Sequence, residues 1–191
     1  MLSQTLIFLV VTLGDLFALA LLLRFMLQLL RAPARNPFSQ FIAALTDFMV
    51  RPVRRVIPGL GGLDLATLAL AWLTEMAQFG IVLQLKGYEL GSAAGIALLA
   101  IAALAATHIV RLAIYVVMVA VVVQAVLSWV NPYSPLAPLL ASVTRPFLRP
   151  FQKLVPTVAN VDLSPLCVLI VCQLLLTVPL TWLDALVRRL L

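Results

Sequence analysis

Apolar residues form four long blocks along the chain, and short segments between them carry most of the charge. The blocks run from about residue 6 to 30, 65 to 85, 93 to 130 and 166 to 187. A helix needs about 20 residues to cross the roughly 30 Å hydrocarbon core of a bilayer. The first, second and fourth blocks therefore each predict one membrane-spanning helix.

The third block is longer than one span requires and shorter than two comfortable spans, with His108 and Arg111 near its middle. Length alone leaves two interpretations open. The block forms one long helix that extends beyond the membrane, or two helices joined by a tight turn near Thr107. The internal repeat described next favours the single helix, and so four spans rather than five.

The segments between the blocks contain an internal repeat. Asn36-Pro37-Phe38-Ser39 recurs as Asn131-Pro132-Tyr133-Ser134, 95 residues later. Six further residues recur at a spacing of 98: Thr46, Arg51, Pro52, Pro58, Asp64 and Leu65 match Thr144, Arg149, Pro150, Pro156, Asp162 and Leu163. Such self-similarity is typical of a tandem duplication. We predict an all-α integral membrane protein of two units, residues 1–92 and 93–191. Each unit has a membrane helix, an amphipathic interfacial helix and a second membrane helix.

The basic residues predict the orientation of the two connectors, which are the segments that join the membrane helices within each unit. Two spans per unit put both connectors on one side of the membrane. They carry most of the basic residues: Arg31, Arg35, Arg51, Arg54 and Arg55 in the first, and Arg145, Arg149 and Lys153 in the second. Basic loops favour the cytoplasmic side. We therefore expect a multi-pass protein of the bacterial inner membrane.

The first connector has the pattern of an interfacial helix. Six apolar residues share one face at helical spacing: Phe38, Phe41, Ile42, Leu45, Phe48 and Met49. Asn36 suits the N-cap, Pro37 suits the first helical position, and Pro52 should stop or kink the helix. Its basic residues can then reach lipid phosphates. We predict lipid or partner binding by Arg51, Arg54, Arg55, Arg145, Arg149 and Lys153; a plain basic membrane-surface linker is the alternative.

Composition supports the membrane class and narrows the function. Hydrophobic residues make up 64% of the 191 residues and charged residues only 10%, which excludes an ordinary soluble domain. The net charge of +6 is explained by the connectors, and no basic domain with interleaved aromatic residues predicts direct nucleic-acid binding. The sequence contains no metal-ligand cluster, catalytic triad or phosphate-cradling glycine loop. We therefore expect no enzymatic activity, cofactor or metal.

Ionisable residues inside the spans are candidates for function, because charge is costly in the bilayer. At the 95-residue spacing, Asp15 aligns within one residue of Arg111, which predicts an ion pair between the units. At the 98-residue spacing, Glu75 aligns with Gln173, which predicts two polar positions facing the bundle interior. His108 is either a haem or metal ligand or, more simply, a histidine whose hydrogen bonds are satisfied within the protein.

Asp64 and Asp162 each precede a membrane helix. One interpretation is an N-cap that accepts backbone N–H groups near lipid. The other is an ion pair with the connector arginines Arg51 and Arg149. The two interpretations are compatible.

The repeated motifs resemble those of the YggT family of small bacterial membrane proteins, which includes YlmG proteins and plastid relatives. The resemblance covers nearly the whole chain and rests on residues 36–41, Arg51-Pro52-Val53-Arg54-Arg55-Val56-Ile57-Pro58, Asp64, residues 128–130, 145–151 and Asp162-Leu163-Ser164-Pro165. In the second connector Gln152-Lys153 replaces the expected Arg-Arg, which weakens the case for bidentate phosphate contacts there. The resemblance implies roles in osmotic-stress tolerance in bacteria, and in nucleoid distribution, division and cytochrome b6 haem assembly in plastids.

Two functional hypotheses follow. The first is a non-enzymatic membrane scaffold or assembly and stress-tolerance factor, whose connectors contact anionic lipid or a protein partner. The second is a subunit of an oligomeric ion or osmolyte channel or transporter, suggested by the duplication and the matched polar positions. In either case we expect anionic lipids and either a partner protein or a second copy of the chain.

Overall fold

The computed structural model describes residues 2–33, 36–57, 59, 63–87, 94–131, 133–154 and 162–189. Three positions of the repeated motif, Pro58, Pro132 and Pro156, lie outside this part of the chain. The described residues form helices α1 (Leu2–Leu29), α2 (Pro37–Val53), α3 (Leu65–Leu85), α4 (Ala94–Val130), α5 (Ala137–Leu154), α6 (Ser164–Thr177) and α7 (Pro179–Arg188).

Four stretches of helix are long and apolar enough to cross a membrane: α1, α3, α4 and the combined α6 and α7. The third block forms one uninterrupted helix of 37 residues, α4. The prediction of four spans is therefore confirmed, and the turn near Thr107 does not occur.

The fourth block differs from the single helix expected. It breaks at Val178, between α6 and α7. Pro179 has no N–H to donate to the preceding turn, and a proline disfavours helical geometry in the residue before it. Val178 nevertheless stays in the right-handed helical region, at φ −101° and ψ −74°, and its own N–H still donates to the Leu174 carbonyl at 3.0 Å.

Equivalent residues of the two units form the centre of the molecule. Leu21 on α1 and Val121 on α4 are fully buried in one hydrophobic cluster, together with Val50 on α2 and Leu148 on α5. Helix α1 packs mainly on α3, while α4 contacts α3, α5, α6 and α7. The two-unit architecture predicted from the repeat is thus visible in the core, where each unit contributes matching positions.

The two connectors meet at one end of the bundle, as the topology predicted. Asn36 caps α2, because its Oδ1 accepts a hydrogen bond from the Phe38 N–H at 2.9 Å. Its Nδ2 donates across the units to the Pro135 carbonyl at 3.1 Å. Helix α2 ends one residue after Pro52. The second motif differs, since α5 begins only at Ala137 and Asn131 lies in a turn before it.

Candidate functional site

An arginine from the first membrane helix joins it to the first connector. Arg24 Nη1 donates to Thr46 Oγ1 and to Asp47 Oδ1, both at 2.8 Å. Asp47 also accepts from Arg51 Nη2 at 2.6 Å. These hydrogen bonds, first that of Arg24 and then that of Arg51, hold the pKa of Asp47 below its usual value, although desolvation opposes them. Arg51, a predicted lipid ligand, is therefore already paired, although 77% of its side chain is exposed.

Asp64 joins the same connector to α3. Its carboxylate accepts hydrogen bonds from the Arg54 guanidinium and from the hydroxyl and backbone N–H of Thr67. Burial is the largest influence on the pKa of Asp64 and would raise it. The bonds from Arg54 and Thr67 outweigh burial, so the pKa lies below its usual value. Asp64 is thus both an N-cap and an ion-pair partner, but it pairs with Arg54, so the predicted partner, Arg51, was wrong.

The second unit repeats this arrangement with neutral side chains. Thr144, equivalent to Thr46, donates to the Gln124 carboxamide, which holds the place of Arg24. Gln152, equivalent to Arg54, donates to Asp162 Oδ2 at 3.0 Å. The predicted pairing of Asp162 with Arg149 is therefore wrong. Asp162 Oδ1 instead accepts from the Ser164 N–H at 2.8 Å, next to the start of α6.

Three other arginines, all exposed, line an open pocket between the units. Arg31, which follows α1, and Arg145 and Arg149 on α5 border a space of about 570 Å³ together with Ser142. Among the described residues, none of the three forms an ion pair, whereas Arg24, Arg51, Arg54 and Arg111 all do. We call this space the arginine pocket. The sequence predicts Arg145 and Arg149 as lipid ligands and places Arg31 only among the basic residues of the first connector.

The backbone at Arg31 is unusual. Its φ of 51° lies in the left-handed region, where glycine normally ends a helix. The Arg31 N–H donates to Gln28 O at 3.1 Å and the Ala32 N–H to Leu27 O at 2.8 Å, a Schellman-type ending. An arginine at this position costs conformational energy that glycine avoids, which points to a role for its side chain.

An apolar groove adjoins the arginine pocket. Leu29 and Pro146 line both spaces, and the groove continues over about 470 Å³ between α1, α4, α5 and α6. Its walls are aliphatic and aromatic, including Phe25, Phe147 and Phe151. The arginine pocket therefore continues into an apolar groove. A phospholipid has the complementary arrangement, with an anionic headgroup next to apolar acyl chains.

The remaining predicted connector ligands lie on the surface. Arg55 and Lys153 are exposed and form no ion pair within the described part of the chain. The apolar face predicted for α2 is also largely exposed. Of its six residues only Ile42 is buried, while Phe41 and Phe48 are 62% and 69% exposed.

Inside the membrane region the predicted Asp15–Arg111 pair is wrong. Arg111 Nη2 donates to Asp184 Oδ2 at 2.5 Å, and Thr107 Oγ1 donates to the other oxygen of Asp184 at 2.8 Å. The 95-residue spacing holds only at the Asn-Pro motif, because the link between α1 and Asn36 is longer than that between α4 and Asn131. Arg24 and Gln124 show that the first helices of the units align at a spacing of 100.

Asp15 instead belongs to a second polar cluster, at the middle of the bundle. Its Oδ1 accepts from Gln78 Nε2 at 2.7 Å, and Glu75 Oε2 lies 2.7 Å from His108 Nδ1. Glu75 is fully buried, which confirms one of the two predicted interior positions. Gln173 is exposed on α6, so its predicted interior position is wrong: a residue can share a depth with its repeat partner without sharing its orientation.

The fold and these buried polar contacts define a multi-pass α-helical membrane protein built from two repeated units. A family model described as CCB3/YggT matches residues 3–85 and 103–183. The chain belongs to this family, as its motifs indicated.

Relatives from several bacteria match over most of their length. A Pseudomonas aeruginosa protein named "Uncharacterized protein PA0392" is 40% identical over 91% of this chain and 87% of its own. A Vibrio alginolyticus protein is 32% identical, over 87% of this chain and 88% of its own. The protein named "Uncharacterized protein YggT" from Escherichia coli K12 is 30% identical, over 85% of this chain and 82% of its own. No solved structure matches the chain.

Proposed function

We propose that the chain is a non-enzymatic scaffold of the bacterial inner membrane that binds an anionic phospholipid at its cytoplasmic face. The lipid phosphate binds in the arginine pocket and an acyl chain lies in the adjoining apolar groove. The observation that carries this proposal is that Arg31, Arg145 and Arg149 line one pocket and form no ion pair with any described residue.

Charge favours an anion in this pocket. Three cationic side chains that line one pocket attract anions, and guanidinium groups match phosphate oxygens in bidentate geometry. Basic groups near an anionic membrane surface contribute about 1 kcal/mol each to association. The strained backbone at Arg31 supports the same role, since it places a long cation where glycine is the easier choice.

The connectors supply the surface expected of a scaffold. The exposed aromatic residues of α2, above all Phe41 and Phe48, suit the acyl boundary of the membrane. The inter-unit bond from Asn36 to Pro135 joins the two connectors at one face. We propose that this face holds a protein partner or a second copy of the chain, and that tolerance of osmotic stress depends on it.

Native mass spectrometry of the purified chain in detergent micelles tests the lipid proposal. The probes are phosphatidylglycerol, phosphatidylcholine and soluble glycerol phosphate. We expect one tightly held phosphatidylglycerol, retained at least about ten-fold better than phosphatidylcholine, a difference of about 1.4 kcal/mol. Equal retention of the two lipids contradicts the proposal, and binding of glycerol phosphate alone shows that the apolar groove takes no part.

In-cell crosslinking tests the scaffold. A photoreactive residue at Gln40, which is exposed on α2, should capture one defined protein or a second copy of the chain. The matched control is the same residue at Leu13, on the exposed surface of α1 within the membrane. Crosslinks to lipid only from both positions contradict the scaffold.

A channel or transporter subunit is the second candidate. The observation that favours it is the polar cluster of Asp15, Glu75, Gln78 and His108 among membrane helices, because buried polar groups often mark ion pathways. Flux of K⁺ or of a small osmolyte into proteoliposomes tests it. Flux that is lost in Glu75→Gln supports a channel, whereas absence of flux from folded protein contradicts it.

A further inference from the structure

The polar cluster at the middle of the bundle brings together three side chains that commonly bind metals. Asp15 on α1, Glu75 on α3 and His108 on α4 each offer one ligand atom, and these atoms all lie within 4.8 Å of one another. We propose that Asp15, Glu75 and His108 bind a divalent transition-metal ion, such as Zn²⁺ or Mn²⁺, inside the membrane region. The site joins the two units, because His108 comes from the second and both carboxylates come from the first.

Two buried polar atoms in this cluster have no hydrogen-bond partner among the described residues, which supports a cation-binding role. Glu75 is fully buried, yet its Oε1 has no hydrogen-bond partner among the described residues. Gln78, which holds Asp15 through its Nε2, also has an unpaired and buried Oε1. A buried polar atom without a partner costs about 1–3 kcal/mol, and a charged one costs more. A cation bound between the three side chains satisfies Glu75 Oε1.

The charge balance also favours a cation. Asp15 and Glu75 are two carboxylates in a region where unpaired charge is costly. The neighbouring cation Arg111 is already bound to Asp184 at 2.5 Å and does not neutralise them. A divalent ion with two carboxylates and a neutral imidazole gives a site without net charge.

Geometry and donor type indicate which ion fits. Ligand atoms about 2.1 Å from one ion lie about 3.0–3.4 Å apart when adjacent. Binding would bring the three ligand atoms to this spacing from their present positions, in which Glu75 Oε2 and His108 Nδ1 are 2.7 Å apart and all three lie within 4.8 Å of one another. The set combines one imidazole with oxygen donors. Imidazole favours Zn²⁺, Fe²⁺ and related ions, whereas carboxylates also suit Mn²⁺. This mixture is better matched to a first-row transition metal than to Mg²⁺ or Ca²⁺, which bind oxygen alone.

The surroundings hold the ligands in place. The Gln78 amide orients Asp15 at 2.7 Å, and the Phe79 ring packs edge-on against the His108 ring with centroids 5.7 Å apart. Gly14 leaves the space that the Gln78 side chain occupies, since a Cβ there would lie 1.8 Å from Gln78 Oε1. Support of this kind from a second layer of residues raises the metal affinity of a site.

Equilibrium dialysis of the full chain tests the site. Protein in detergent micelles is stripped with a chelator, then dialysed against Zn²⁺ or Mn²⁺ alone, and bound metal is measured by mass spectrometry. We expect one ion per chain, and binding at least about ten-fold weaker in Glu75→Gln and Asp15→Asn. Asp162→Asn, a matched carboxylate-to-amide change in the second connector, should bind like the unchanged chain. Binding by the unchanged chain no tighter than by Glu75→Gln overturns the proposal and leaves a hydrogen-bonded structural cluster.

Pulsed electron paramagnetic resonance of the Mn²⁺-loaded, unchanged protein gives a second readout, which requires no variant to fold. The spectrum should show coupling to the nitrogen of a histidine, and His108 is the only histidine in the sequence. The coupling should disappear in His108→Gln where that variant folds. Bound Mn²⁺ without nitrogen coupling overturns the assignment of His108 as a ligand.

Discussion

Asp64 and Asp162 occupy equivalent positions in the two units, but Asp64 is paired with an arginine and Asp162 with a glutamine. Arginine is also replaced by glutamine at a second pair of equivalent positions: Arg24 contacts Thr46 in the first unit, and Gln124 contacts Thr144 in the second. The first unit therefore uses its arginines to fix its own connector. The second unit makes these contacts with amides. Arg145 also stands where the first unit has Asp47, so Arg149 lacks the carboxylate that pairs with Arg51.

Replacing Arg54 with Gln should convert the first connector to the arrangement of the second. Asp64 then loses the cation that holds its pKa down. Because the folded pKa of Asp64 lies below its usual value, its ionised form stabilises the fold above the unfolded value of about 3.8, and this contribution is lost as the pH falls through the folded pKa. In Arg54→Gln the loss of stability on acidification should be smaller. Thermal unfolding at several pH values between pH 7 and pH 3 measures this loss of stability. A loss as large in Arg54→Gln as in the unchanged chain contradicts the ion pair between Arg54 and Asp64.

Replacing Arg31 with Gly should stabilise the protein while weakening lipid binding. Glycine adopts the left-handed backbone conformation of residue 31 without the penalty of about 1–2 kcal/mol that other residues incur. It also removes one of the three cations of the arginine pocket. Thermal unfolding and phosphatidylglycerol retention, measured on the same preparation, should change in opposite directions. If stability and retention both fall, the backbone argument is wrong.

The Arg111–Asp184 pair should behave as a coupled unit. Removing one partner leaves a partly buried charge without its counter-ion, so Arg111→Gln and Asp184→Asn should each destabilise the protein by about 1–3 kcal/mol. The double variant should cost less than the sum of the two. A parallel cycle with Arg111 and Asp15 should be nearly additive. Coupling between Arg111 and Asp15, without coupling between Arg111 and Asp184, would support the Asp15–Arg111 pair predicted from the repeat spacing and contradict the observed one.

A methyl group at Gly14 should disturb the central cluster. Gly14→Ala places a Cβ 1.8 Å from Gln78 Oε1, so Gln78 must move and release Asp15. We expect a destabilisation of about 1–3 kcal/mol, the usual range for overpacking. Gly80→Ala on α3 is the control, because nothing lies within 4 Å of its Cβ and alanine favours a helix. Similar loss in both variants indicates a general effect of helix substitution.

The fold was largely predictable because its signals are strong and local. Apolar length gave the four spans, and the duplicated motif gave the two units and the shared face of the connectors. The capping role of Asn36 also followed from local chemistry. The partners of buried charged residues were harder to predict from the sequence, because they depend on the rotation of each helix about its axis and on loop length. A five-residue difference in the link before the Asn-Pro motif was enough to misalign Asp15 with Arg111.

The arginine pocket shows the same limit. Arg31 and Arg149 lie far apart in the sequence, and only packing of α5 beside the end of α1 brings them to one cavity. The threonine shared by both repeats, Thr46 and Thr144, was the one sequence feature that indicated a polar contact in each connector. Nothing in the sequence showed which arginines would be neutralised by Asp47 and Asp64.

Lipid retention by two variants of equal net charge tests the central claim most directly. One replaces Arg31, Arg145 and Arg149 with Gln. The other replaces Arg55, Lys86 and Lys153 with Gln, three exposed residues that form no ion pair within the described part of the chain. Native mass spectrometry should show that the first loses phosphatidylglycerol by at least about ten-fold, while the second stays within about two-fold of the unchanged chain. Equal losses in both variants would show that only total charge matters, and would contradict a specific phospholipid site.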